Sequence, residues 1–380
     1  MIFACTQENL LQGLSLVSHV AGKSANLPIL GNVLMKTEGG NLKISTTNLE
    51  MAVSALVRGR VEAEGEYTVP VKLFQDYIGL LPDGKVELAV KDEGLEIKAD
   101  GQVTVIKGMP ASEFPLIPKL TKDAGYKMKA QALREGIEQA VFAVSTSESR
   151  PELAGVACFF HGQAGQDRLV MAATDSYRLA ERAVALLPGG SAGEAKCIVP
   201  ARAMLEVARI LQSYKDDVAM PEEVGWSITE SQFVLTFGKL ELISRLIEGS
   251  FPDYRQIIPT QFRSKFTVRR GELLKAIRAA SLFARQGLYD VLLELNGTEL
   301  RISSADTGKG AHTTTLAVEG AMDPPSAENK VTLNFKYVTD GLATLGTDKV
   351  LVCMIDGMNP VVITPTEGEG FQYVVMPIRQ

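Results

Sequence analysis

Tryptophan occurs once, histidine three times and cysteine four times in 380 residues, and aromatic residues make up only 6%. The cysteines (Cys5, Cys158, Cys197 and Cys353) form no C-x-x-C pair. That removes the spacing used by zinc ribbons and dithiol redox motifs, and reduced, unpaired thiols are the expectation. His19, His161 and His312 lie far apart, with no H-E-x-x-H, no Cys/His cluster and no G-x-S-x-G elbow. No metal, no cofactor and no catalytic residue is therefore expected. No stretch reaches the roughly 18 uninterrupted apolar residues that span a bilayer. The opening MIFACTQENLLQGL lacks a basic segment followed by an apolar run and a cleavage site, so the reading is a cytoplasmic protein. Positive charge is in deficit too, with 39 Lys and Arg against 45 Asp and Glu and a net charge of −6. This excludes a nucleic-acid binder that is basic throughout, but not one with its cations on a single surface.

What is present is apolar and repeated. Apolar residues are 46% and charged residues 22%, enough to build cores, and the length suits two or three domains of about 100–150 residues. One pattern recurs three times in the same order. Each copy opens with helix-spaced apolar residues: Leu10, Leu14 and Val17; Leu133, Ile137, Ala140 and Val144; Leu273, Ile277, Ala280 and Ala284. An apolar strand ending in a small polar cluster follows, as LKISTTNLEMA, LVMAATDSYRLA and LRISSADTGKGA, with Thr47, Thr174 and Ala305 equivalent. A second helix starts at Pro70, Pro200 and Asn334, where proline suits a first helical turn and asparagine a cap. Alternating strands with turn residues between them close each copy. The proline-bearing FPLIPKLTKDAG and FPDYRQIIPTQF read as linkers. These marks divide the chain into domains at 1–120, 125–255 and 264–380, each an α+β layer of two helices on antiparallel strands.

Charge is partitioned between the layers. The six helix-like segments carry eleven basic and seven acidic side chains, a net positive set on a chain whose total is −6. Such a face can accept phosphates without reading bases. AGKSA reproduces the end of a phosphate-binding loop, but Val17 stands where its first glycine belongs and Leu27-Pro28 follows where a helix must begin. Gly368 and Gly370 in TEGEGF read as a hairpin tip, and Asp216-Asp217 as a solvated acidic turn.

The segment KSANLPILGN, the TDSYRLA cluster, FPDYRQIIP after it and the terminal YVVMPIRQ, in this order on three tandem repeats, resemble the bacterial β sliding clamp family over essentially the whole chain. The resemblance implies the DNA clamp fold: helices lining the inside of a ring, antiparallel sheets outside, and two protomers joined head to tail around double-stranded DNA. The implied protein is a non-catalytic processivity subunit. Its partners are a second copy of itself, the replicative polymerase catalytic subunit, the clamp loader and other replication and repair proteins, with no membrane. The implied partner-peptide pocket comprises Leu153, Thr174, Ser176, Tyr177, Arg178, Leu179, Pro252, Ile257, Asn334, Tyr337, Val374, Val375, Met376, Pro377, Ile378 and Arg379. Tyr177, Gln256 and Gln380 depart from the family's pattern and bear on peptide preference. Lys23, Lys72, Arg134, Arg150, Arg202, Arg209, Lys275, Arg278 and Lys336 are the implied DNA-facing cations. Thr104 and Ile106, on the edge strand VTVIKG, would meet Leu282 and Phe283 of the second copy. The reading held against this one is a triplicated ligand-binding or scaffold protein that never meets DNA.

Overall fold

The computed structural model describes residues 1–22, 26–92, 94–118, 125–147, 149–161, 167–189, 193–213, 222–322 and 329–379. Among these, six α-helices form: α1 (Gln7–Val17), α2 (Val71–Leu80), α3 (Ala130–Val141), α4 (Ala201–Ser213), α5 (Arg270–Ser281) and α6 (Phe335–Ala343). The apolar spacing in the sequence explains which face each helix buries. Leu10, Leu14 and Val17, then Leu133, Ile137 and Ala140, then Leu273, Ile277 and Ala280 are all fully or almost fully buried. Each such aliphatic side chain larger than alanine contributes about 1.5–3 kcal/mol of burial. Thr6 caps α1 by accepting from the Asn9 N–H, and Asn334 caps α6 by accepting from the Lys336 N–H. Pro70 and Pro200 stand one position earlier than expected, as the last residues of the strands Glu66–Pro70 and Ala195–Pro200. Both strands lie at sheet edges, where a residue without an N–H leaves no ladder bond unmade.

The chain folds into two compact units, and the division runs through the second repeat. The first unit comprises Met1–Arg134, Leu186–Ala192 and Leu205–Leu246; the second comprises Glu135–Ala185, Gly193–Met204 and Ile247–Gln380. The physical reason is sheet continuity across the repeat junctions. In the first unit Leu240–Arg245 pairs antiparallel with Met51–Val57, which extends the strands of the first repeat into an eight-stranded sheet. In the second, Arg178–Ala185 pairs antiparallel with Phe371–Val375 inside a nine-stranded sheet. The first unit also holds a five-stranded sheet ending at Gln102–Ile106, and the second a four-stranded sheet ending at Gly310–Ala317.

Parts of the expected linkers pack into these units, while residues 119–124 of the first lie outside the described residues. Phe114 is buried with Ile29 and Leu30, and Tyr254 is buried in a cluster with Ala172, Leu179, Cys353, Val362 and Val374. Their aromatic and aliphatic side chains, more than their prolines, decide this.

The triplication extends to single hydrogen bonds. At the end of the equivalent strand in each repeat, one side-chain oxygen turns the chain by accepting two backbone N–H bonds. Asn48 Oδ1 accepts from Glu50 and Met51, Asp175 Oδ1 from Tyr177 and Arg178, and Asp306 Oδ1 from Gly308 and Lys309. These are Asx turns. The first two also put a non-glycine residue at positive φ, Leu49 at 76° and Ser176 at 79°.

Gly341 on α6 shows how tightly that helix packs on the sheet. A Cβ there would lie 2.4 Å from ring carbons of the fully buried Tyr373, whose hydroxyl donates to the Tyr337 carbonyl. Gly341→Val should therefore cost close to the upper end of the about 1–3 kcal/mol typical of overpacking. A lower urea midpoint at unchanged slope is the expected readout; an unaltered midpoint would contradict this packing.

Candidate functional site

The Thr174–Arg178 turn is held from both sides. Thr174 Oγ1 donates to the Arg178 carbonyl at 2.6 Å and accepts from the Ser176 N–H. The Arg178 guanidinium, only 12% exposed, bonds Asp175 at 2.9 Å and Asp340 at 2.6 Å and lies 4.7 Å from the centre of the Tyr337 ring. Burial works against its charge, but Tyr373, Asp340 and Asp175 outweigh that and raise its pKa. The result fixes Tyr337 behind a turn that pushes Tyr177 outward, 63% exposed.

The C-terminal segment lies along the same turn. The Met376 N–H donates to the Tyr177 carbonyl at 2.9 Å and the Ile378 N–H to the Thr332 carbonyl at 2.8 Å. Pro377, between them, has no N–H to donate. The third wall is the loop after α5, where Gly287 (φ 88°) and Tyr289 (φ 55°) take left-handed conformations. Together these walls enclose a pocket of about 500 Å³ lined by Ser176, Tyr177, Gly287, Leu288, Asn334, Tyr337, Met376, Pro377, Ile378 and Arg379. It is an apolar groove with polar groups at its rim, the chemistry of a peptide-sized ligand site. A larger hollow of about 690 Å³ in the first unit is lined by Thr6, Gln7, Glu8, Leu11, Gln12, Ser15, Asp83 and Gly84 and holds none of the expected pocket residues.

Half of the expected pocket residues line this groove, and half do not. Leu153, Thr174, Leu179, Val374 and Val375 are buried. Val375 sits opposite Arg178 and, like its neighbour Val374, is buried, so the strand has no open face at this point. Arg178 acts behind Tyr337, while Pro252 and Ile257 are exposed on the connector. Gly287 and Leu288 were not anticipated, because only the tertiary fold brings the turn after α5 to the chain end.

That loop is closed by Arg285, which binds Asp290 through its backbone N–H and its guanidinium, with Nε 2.9 Å from the carboxylate. Burial would raise the Asp290 pKa, but the Arg285 bonds and backbone N–H groups together hold it below its usual value. A depressed folded pKa gives stability present above the unfolded value of about 3.9 and lost as pH falls through the lower folded value. Between pH 5 and 3 the wild type should therefore lose urea resistance more steeply than Asp290→Asn. Parallel profiles would count against this closure.

Of the cations implied to face DNA, Lys72, Arg202, Lys275, Arg278 and Lys336 are exposed on helices, and Arg134 is half-buried. Lys336 Nζ lies 3.5 Å from the centre of the Tyr289 ring. Lys23 falls outside the described residues. Arg209 does not present a free cation: its guanidinium is tied to Glu206 and to the Ser15 and Leu16 carbonyls. Arg150 pairs with Glu152 and reaches the Ser176 hydroxyl at 3.3 Å, beside the groove.

On the edge strand Gln102–Ile106 the side chains are reversed from the expectation. Ile106 is buried, and the Thr104 hydroxyl donates to the Tyr77 hydroxyl of α2. Val103 and Val105, 60% and 44% exposed, are the outward pair. A one-residue change of face is enough to interchange the two sets. In the second unit Leu282 is 70% exposed, and Phe283 stacks on His312 of the edge strand Gly310–Ala317.

Comparison with known proteins covers the chain from end to end. Family models for the N-terminal, central and C-terminal domains of the DNA polymerase III beta subunit match residues 1–118, 127–253 and 255–379. The beta sliding clamp of Synechococcus elongatus is 30% identical over 386 residues, and that of Synechocystis sp. 29% over 402, each alignment covering 100% of this chain and 99% of the relative. The crystal structure of the sliding clamp of Pseudomonas aeruginosa bound to griselimycin aligns at a TM-score of 0.91 with 26% identity, covering 100% of both chains.

Proposed function

This chain belongs to the DNA polymerase III beta subunit family, the beta sliding clamps, and from that premise we propose that two copies close head to tail into a ring around duplex DNA. The chain is a DNA sliding clamp, a non-catalytic processivity factor of DNA polymerase III. The observation that carries this is the run of three domain matches in order over the whole chain. A triplicated scaffold unrelated to DNA is set aside by the same observation. No helix among the described residues is long and apolar enough to cross a membrane.

The finer assignments are ours. The groove beside Tyr177 and Met376 takes short peptides of the replicative polymerase subunit, and the clamp loader and other replication and repair proteins compete for it. Its apolar lining and its three fixed walls support that reading. Lys72, Arg134, Arg202, Lys275, Arg278 and Lys336 meet phosphates, while Arg209, bound to Glu206, and Arg150, bound to Glu152 and Ser176, are left out of the set. Two unpaired sheet edges form the junction, Gln102–Ile106 of one copy meeting Gly310–Ala317 of the other. Exposed apolar edges are templates for such pairing. Thr104 and Ile106 support the junction from within their sheet, and Val103 and Val105 meet Leu282 and Phe283.

A charge at the outward face tests both the ring and its use. Wild type should sediment as a dimer and support long primer extension on a circular template with its polymerase and loader. Val105→Asp places an unpaired charge where about 1.5–3 kcal/mol of burial was available. Its dimer dissociation constant should rise at least tenfold and its extension products shorten together. A dimer unaffected by this change at high dilution would refute the junction.

A further inference from the structure

Two cysteines far apart in sequence lie side by side in the nine-stranded sheet. Cys158 on Gly155–His161 is the direct register partner of Cys197 on Ala195–Pro200, between the pairs Ala157–Ile198 and Phe159–Lys196. Both thiols are free, and as direct register partners they share one face of the sheet. Directly opposed residues on antiparallel strands have Cα atoms about 4.5–5.5 Å apart. A disulfide needs Cα atoms about 4.4–6.8 Å and Cβ atoms about 3.5–4.5 Å apart, so the register brings the pair within reach and closing the bond draws the two side chains slightly together. We propose that Cys158 and Cys197 are a reversible disulfide-forming modification site, oxidised by peroxides.

The two sulfurs have different parts. Cys158 is fully buried, whereas Cys197 is half-buried on a strand with no further neighbour in the sheet. Peroxide therefore meets Cys197. Its sulfur attacks the peroxide O–O bond, which breaks as an S–O bond forms, giving a sulfenic acid and water. The Cys158 sulfur, losing its proton, then attacks the Cys197 sulfur. The S–S bond forms, the S–O bond breaks and a second water leaves. Two thiols have lost two electrons and one peroxide has become two waters. Burial pushes the Cys158 thiol up and slows this second step, but its proximity keeps the sulfenic acid from waiting for an external thiol.

The other cysteines provide the contrast. Cys5 is opposite Val86, and Cys353 is opposite Lys265 and Val362, with no cysteine partner for either. The bond would lie on the face that carries Met171, the register partner of Cys158 on its other side, which packs under Gly136 of α3. It would tie down the strand that runs directly into α4. The inference rests on strand register and does not depend on the clamp reading.

The test treats the full-length folded protein with hydrogen peroxide, quenches it, unfolds it, alkylates free thiols with maleimide and maps the peptides. The expected result is a peptide linking Cys158 to Cys197, alkylation confined to Cys5 and Cys353, and full reversal by dithiothreitol. Cys197→Ser, at the half-buried position, should fold normally, lose the linked peptide and leave Cys158 alkylated. Cys158→Ala should leave Cys197 as a sulfenic acid that dimedone traps. Alkylation of all four thiols after peroxide, or a linked peptide that appears only when the protein is oxidised in denaturant, would overturn the proposal.

Discussion

Removing Met376–Gln380 should abolish peptide capture and leave the dimer intact. Four of the groove's lining residues, Met376, Pro377, Ile378 and Arg379, lie in that segment. Their loss removes one wall and frees the Tyr177 and Thr332 carbonyls that the Met376 and Ile378 N–H groups satisfy. The remaining walls, Tyr337 behind and Leu288 opposite, cannot desolvate a ligand from one side. A short peptide that docks two apolar side chains in the groove would gain about 1.5–3 kcal/mol from each. Losing both amounts to about 3–6 kcal/mol, a rise in dissociation constant of at least a hundredfold. Calorimetry with such a peptide reads this directly. Sedimentation should be unchanged, because neither proposed edge strand, Gln102–Ile106 nor Gly310–Ala317, includes the deleted residues. Unaltered peptide affinity in the truncated protein would place the binding site elsewhere. Met376 is suited to this position, since its flexible thioether adapts to several apolar ligands.

The repeats were readable in the sequence because periodicity is a local signal. Leu10, Leu14 and Val17, and their counterparts in α3 and α5, announce a buried helix face whatever surrounds them. The division into two units was not readable, because it comes from pairings such as Leu242 with Val53 and Leu179 with Val374, far apart in sequence. The site divides in the same way. Tyr177 and Met376 stand in segments whose resemblance to a known family is strong, and both line the groove. Leu179 and Val375 stand in the same segments but are buried, since both faces of their strands are covered at these positions, as the burial of the adjacent Ala180 and Val374 shows. Gly287 and Leu288 carry no sequence mark beyond a turn. Arg209 shows a further limit: composition counts it as a surface cation, while the fold uses its guanidinium to satisfy the Ser15 and Leu16 carbonyls. The Cys158–Cys197 register is likewise invisible to any spacing rule.

The cations that remain determine how this clamp should hold DNA. Lys72, Arg202, Lys275, Arg278 and Lys336 are exposed, Arg134 is half-buried, and the chain's net charge is −6. Six phosphate contacts at a time around the ring would give a salt slope of about −5 in log–log form, so affinity for open linear duplex should fall about a thousandfold between 50 and 200 mM salt. A ring loaded on a nicked circle has no end to leave by, and its release requires the junction to open. It should therefore remain bound at salt that abolishes linear binding, and cutting the circle should set it free within the time needed to slide off. The contrast expected is between retention for many minutes and loss too fast to follow by gel filtration. Val105→Asp should shorten retention on the circle without altering the salt slope on linear DNA, because it weakens closure and leaves the phosphate contacts alone. Equal retention on circular and linear DNA at high salt would mean that affinity, not topology, holds the protein in place.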